Sequence, residues 1–169
     1  MFLVLAKKDK TTSIKKQIEI ISKIKNFLKK DDVVKEIFDK YKKPIDDMDG
    51  IAISFEKDLD VTAKTIDGKV ILNTSLMDEN FNIICRYVVH ELTHVFQHIE
   101  KEFSKKQKKE KEYLDRPEEI EAFQNQVKFD SKKRSRKEAV KYIEDLLNYH
   151  KIKKEKKEEK KRQLLDKLE

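Results

Sequence analysis

A chain with one cysteine can form no internal disulfide, and Cys85 is the only cysteine among these 169 residues. That usage fits a reducing compartment, and Cys85 reads as a core thiol. Long apolar runs are missing too. Met1 to Ala6 is apolar only until Lys7, Lys8 and Asp9, too short for a signal-peptide core or a membrane span, so a cytoplasmic location with no membrane partner is the expectation. Two glycines and two prolines are all that punctuate the chain, which favours long helices and gives each breaker positional meaning.

Charge is what the chain has in abundance. Asp, Glu, Lys and Arg make up 43% of it and apolar residues 37%, enough for one modest core with much of the charge on projecting helices or a tail. The net charge of +7 and pI near 9.2 would assist approach to nucleic acid. Acidic residues interrupt nearly every lysine run, however, and aromatics are not interleaved as stacking platforms, so the lysines read as solvated faces and charge alone names no partner.

Periodicity predicts a mixed α+β fold. Ser13 is placed to cap a helix carrying Ile14, Ile18, Ile21, Ile24 and Leu28, and Asp31 or Asp32 a second with Val34, Ile37, Phe38 and Tyr41. After Pro44 and Gly50 the period becomes two. Ile51, Ile53 and Phe55 alternate with polar or small residues, then Val61 to Ile66 and Val70 to Leu72 flank Asp67-Gly68, a favoured type I′ turn. The expectation is a small antiparallel sheet of about three strands, in which a strand beside the helix that follows could pair with an extended peptide. A helix then runs from about Glu79 to Ile99, with Ile84, Val88, Leu92, Val95 and Ile99 on one stripe. The lysine-rich residues 101 to 111 read as a mobile connection or an extended helical turn. Asp115-Arg116-Pro117-Glu118 starts a further helix with Asp115 as an acidic cap, and Ser135-Arg136-Lys137-Glu138 restarts one by a capping box. Residues 151 to 169 form a charged helical or disordered tail in which Leu164, Leu165 and Leu168 are the apolar cluster.

Within the long helix stands His90-Glu91-Leu92-Thr93-His94, an HExxH pentad. Positions i and i+4 share a helix face, so two imidazoles can hold one zinc ion while Glu91 reaches a water on it. Chance gives the pattern in about one chain in a hundred of this composition, but both histidines lie opposite the core stripe, beside Ile83 and Tyr87, as the lining of a cleft would. Two histidines leave a catalytic zinc site one ligand short. His98 lies about 6 Å further along the helix axis and reads as a surface or supporting group. The longer pattern with a third histidine is absent, because Gln97 and Glu100 occupy its glycine and histidine positions. Cys85 faces the core. Glu118, Glu119 and Glu121 on the next helix remain as candidates for the third ligand.

From Val70 to Val127 the chain resembles the gluzincins, zinc peptidases whose HExxH helix is followed by a glutamate helix, and especially their minimal single-domain, minigluzincin-like forms. The resemblance is carried by Ile71-Leu72-Asn73, by His90 to Gln97, and by Arg116-Pro117-Glu118-Glu119-Ile120-Glu121-Ala122-Phe123. It implies a zincin-like domain over residues 1 to 150, with His90, His94 and Glu119 as metal ligands, Glu119 matching an E-x-x-A pattern through Ala122. Glu121 is the reserve. Phe123 then stands where many members have an acidic residue that orients a histidine, a departure that leaves the orienting groups unassigned.

The expected activity is zinc-dependent hydrolysis of peptide bonds in a peptide or protein substrate, with Glu91 as general base. Tyr113, Arg116, Tyr142, Tyr149 and His150 are each chemically able to stabilise an oxyanion, and the sequence does not choose among them. Two alternatives compete. One is a non-catalytic zinc module that binds nucleic acid or a protein partner, and the other a DNA-linked protease of SprT-like type, which would need a distant third histidine such as His150.

Overall fold

The computed structural model describes the backbone of residues 2 to 100 and 112 to 168, with side chains from residue 13 to 99 and 112 to 168. Met1, Glu169 and the connection at residues 101 to 111 lie outside the described residues. Six α-helices and a three-stranded sheet are formed among them, an α+β fold as the periodicity predicts. No helix is long and apolar enough to cross a membrane.

Helix α1 spans Phe2–Leu28 and α2 spans Asp32–Lys40. Ser13 lies inside α1 and is not its cap, since neither proline nor glycine interrupts the chain before it. Of the two candidates Asp31 caps α2 and Asp32 is its first residue, the Asp31 carboxylate accepting from the amides of Val33 at 2.9 Å and Val34 at 3.2 Å.

The strands are β1 (Ile53–Glu56), β2 (Ala63–Ile66) and β3 (Lys69–Asn73). Asp67 and Gly68, both at positive φ, join β2 to β3 in the expected hairpin. The sheet is not wholly antiparallel, because its order is β1-β3-β2 and β1 pairs with β3 in parallel. Burial explains the arrangement: Val70, Ile71 and Leu72 make β3 the most apolar strand and suit it to the centre, whereas the half-exposed β2 takes an edge.

Helix α3 (Phe81–Glu100) carries the pentad. Ile84, Val88, Leu92 and Val95 are buried as one stripe, but Ile99 is 59% exposed, so the stripe stops a turn before the helix does. Cys85, Val89, Thr93 and Phe96 are buried on other sides, so α3 is enclosed nearly all round and packs with α1, α2 and the sheet into the main core. Burial pushes the Cys85 thiol up to about 12, which keeps it neutral and inert at ordinary pH.

Helices α4 (Pro117–Lys133), α5 (Arg136–Tyr149) and α6 (Lys154–Leu165) follow. Pro117 opens α4, yet Asp115 does not cap it; the residue before the proline is Arg116, and the Asp115 carboxylate accepts from Lys160 at 2.5 Å instead. Ser135 caps α5 by accepting from the Glu138 amide at 3.1 Å. A second apolar cluster of Leu114, Phe123, Val127, Ala139, Ile143, Leu147 and Leu164 joins these helices. The expected tail therefore takes its helical form and is docked: Leu164 is fully buried, and Gln124 donates to the Gln163 carbonyl at 2.9 Å. Leu164→Ala should cost about 2 to 5 kcal/mol of unfolding free energy in a urea titration, as a large cavity in a true core does; an unchanged midpoint would mean that α6 contributes nothing to the fold.

Candidate metal centre

Three elements build the site. Helix α3 supplies His90, Glu91 and His94; the first turns of α4, laid against α3, supply Glu119; and the edge strand β2 supplies Thr65. His90 and His94 point the same ring nitrogen inward, their Nε2 atoms 3.1 Å apart, and Glu119 Oε2 lies 3.5 Å from the first and 3.3 Å from the second. Among the described residues this is the cluster whose donor atoms lie close enough to share one ion.

The fit to zinc can be judged by length. Donors about 2.0 to 2.1 Å from a tetrahedral ion stand about 3.3 Å from one another, and the three observed separations bracket that value. Glu119 Oε2 is buried without a hydrogen-bond partner among the described residues, the condition of a ligand atom that has another task. Two imidazoles and one carboxylate supply three ligand atoms, one fewer than a closed four-coordinate site has.

Electrostatics agree with this pairing. Burial alone would raise the Glu119 carboxyl, but the two imidazoles beside it outweigh burial and hold it far below the ordinary carboxylate range. Burial would likewise lower His94, and the Glu119 carboxylate overrides it to raise that imidazole.

Glu118 and Glu121 do not join the cluster. The Glu118 carbonyl accepts from Gln97 Nε2 at 3.1 Å. Glu121 is held by Lys40 and, at 3.1 Å from each carboxylate oxygen, by the Tyr41 hydroxyl, while its Oε2 also accepts from Gln97 Nε2 at 3.1 Å. Gln97 in turn sets its Oε1 2.8 Å from His94 Nδ1. A proton on that Nδ1 frees the Nε2 lone pair for a metal, so Gln97 and Glu121 brace His94 from behind. The group that orients His94 is thus the residue that displaces the glycine of the longer histidine pattern. His90 is held differently: the Phe123 ring meets it edge-on at 4.5 Å, and its Nδ1 has no hydrogen-bond partner among the described residues. Phe123, where the resemblance would place an acid, fixes that ring by packing.

Glu91 is buried beside the cluster and outside it. Thr65 donates to Glu91 Oε2 at 2.8 Å and lies 3.1 Å from the Glu91 carbonyl oxygen, which pins the carboxylate by one of its two oxygens. Sequence reasoning passed over Thr65, although strand alternation puts it on the same face as Ala63, which packs on the core. Behind the site Asn125 donates to Thr93 Oγ at 3.0 Å and fastens α4 to α3.

The five groups able to stabilise an oxyanion are now separable. Tyr149 is 80% exposed, and Tyr142 lies under the Arg86 guanidinium. Tyr113 lies beside the centre: burial first, then the charge of the Glu119 carboxylate, push its phenol well above the usual range. Its ring stacks on His150 at 5.2 Å, and Arg116 lies 5.8 Å from the ring centre. His150 therefore comes near the site without joining the ligand set, and His98 is exposed on α3. Comparison with family models, with curated proteins and with solved structures found no match, so the functional reading rests on the residues themselves.

Proposed function

We propose that the protein is a zinc-dependent metallopeptidase. The observation that carries this reading is the convergence of His90 Nε2, His94 Nε2 and Glu119 Oε2 within tetrahedral reach of one point, with the Glu91 carboxylate buried beside that point and bound by none of the three. Zinc, when bound by such a triad, acidifies water and polarises a carbonyl. Glu91 would take a proton from water at the carboxylate oxygen other than the one Thr65 holds and return it to the leaving amine. An extended substrate finds a ready template in β2, the sheet edge from which Thr65 reaches Glu91.

Tyr113 is the group assigned to the developing oxyanion. Tyr113→Phe should lower kcat by about tenfold to a thousandfold while zinc content stays at that of the wild type; equal kcat in the two proteins would remove the phenol from the reaction. The activity itself is tested by exposing the zinc-loaded protein to a peptide library. Cleavage abolished by Glu91→Gln is the expected result, and no cleavage of any member at stoichiometric zinc would end the proposal.

The nucleic-acid and protein-binding alternatives gain nothing specific from the site. A purely structural zinc centre is ordinarily closed by four protein ligands, and here Cys85 is buried in the core while His98 and His150 stand outside the triad.

A further inference from the structure

We propose that the cavity between α2, α4 and the C-terminal turn at Asp166–Leu168 binds a tetrahedral oxyanion of charge −2, either inorganic phosphate or the phosphate of a phosphorylated side chain. The cavity measures about 320 Å³ and is lined by Glu36, Ile37, Lys40, Asn125, Lys128 and Lys167. Three of its six lining residues are lysines, brought from three separate elements.

Their charges are unequally compensated. Lys128 pairs with Glu36 at 2.5 Å, and Lys40 pairs with Glu121. Lys167 forms no ion pair among the described residues; its ammonium donates only to the Asn125 amide oxygen, at 2.7 Å. It is half-buried, and burial lowers its pKa, with the Lys40 and Lys128 charges acting in the same direction and Glu121 and Glu36 only partly offsetting them. Among the described residues three ammonium groups against two carboxylates leave one surplus positive charge in a concave and partly desolvated place, where its attraction for an anion is strengthened. Asn125 completes the chemistry: with its Oδ1 taken by Lys167 and its Nδ2 by Thr93, it fixes the third ammonium at the cavity wall. A phosphate is small enough for this volume, and each of its oxygens can accept from an ammonium.

An occupant would sit across Glu121 and Asn125 from the metal centre, since those two side chains are also the ones that brace Gln97 and Thr93. It would tie the C-terminal turn to α2 and α4. The proposal does not depend on the metallopeptidase reading.

The test is a titration of the full-length protein with sodium phosphate by calorimetry, against sodium chloride at matched ionic strength. One saturable site is expected in wild type, weakened at least tenfold in both Lys167→Met and Lys128→Met and unaltered in Lys15→Met, which removes an exposed lysine of α1. Phosphoserine then separates the sources: binding at least tenfold tighter than phosphate assigns the site to a phosphorylated side chain, and equal or weaker binding assigns it to the free ion. A response that chloride reproduces, or one that Lys15→Met reduces as much as the two cavity variants do, overturns the site.

Discussion

Glu119→Ala should leave the purified protein without stoichiometric zinc, whereas Glu121→Ala should keep the metal with reduced affinity. Glu119 offers its buried Oε2 to the point on which both Nε2 atoms converge, and its removal leaves two imidazoles that cannot hold a divalent ion firmly. Glu121 acts one step away: it fixes the Gln97 amide whose other end meets His94 Nδ1. Losing such an outer group weakens metal binding about 10- to 100-fold, so the Glu119 variant should lose more than that. Elemental analysis after gel filtration, followed by competition with a chromophoric chelator, separates the two. Zinc lost from the Glu121 variant and retained in the Glu119 variant would exchange their roles and contradict the geometry.

Local pattern and non-local geometry divide what the sequence could reveal. The α3 stripe as far as Val95, the Asp67-Gly68 hairpin, the α2 cap at Asp31, one of its two candidates, and the Ser135 half of the capping box are each set by residues within a turn or two of one another, and the structure contains them. The same holds of the two histidines, whose convergence follows from helical spacing. The choice among three glutamates was a different matter. Glu118, Glu119 and Glu121 all suit a helix start, and what separates them is Lys40 and Tyr41, which arrive from α2 some 80 residues earlier to occupy Glu121. Thr65 escaped notice for the same reason, since its partner Glu91 is 26 residues away on another element. The parallel pairing of β1 with β3 was hidden because hairpin chemistry specifies only adjacent strands, and the preference of an apolar strand for the sheet centre is a tertiary effect. The docking of α6 depended on one residue, Leu164, within a segment otherwise dominated by charge.

Glu91→Gln is the substitution with the sharpest expected consequence: peptide hydrolysis should fall by at least about 10² to 10⁴ while zinc content remains that of the wild type. The amide is nearly isosteric with the carboxylate, and its oxygen can still accept from Thr65, so the buried pocket should hold its shape. What the amide cannot do is take a proton from water and deliver it to a leaving amine. The metal should stay because Glu91 lies outside the triad that would bind it. Metal content and activity, measured on one sample, therefore have to part company in this variant. A centre that served only to hold α3 against α4 would give the opposite pattern, with no activity to lose in the wild type and no reason for a carboxylate to be buried and pinned beside three convergent donor atoms. Activity surviving in Glu91→Gln at full zinc occupancy would require another base; His150, stacked on Tyr113, is one candidate, and the double variant Glu91→Gln with His150→Ala would decide it.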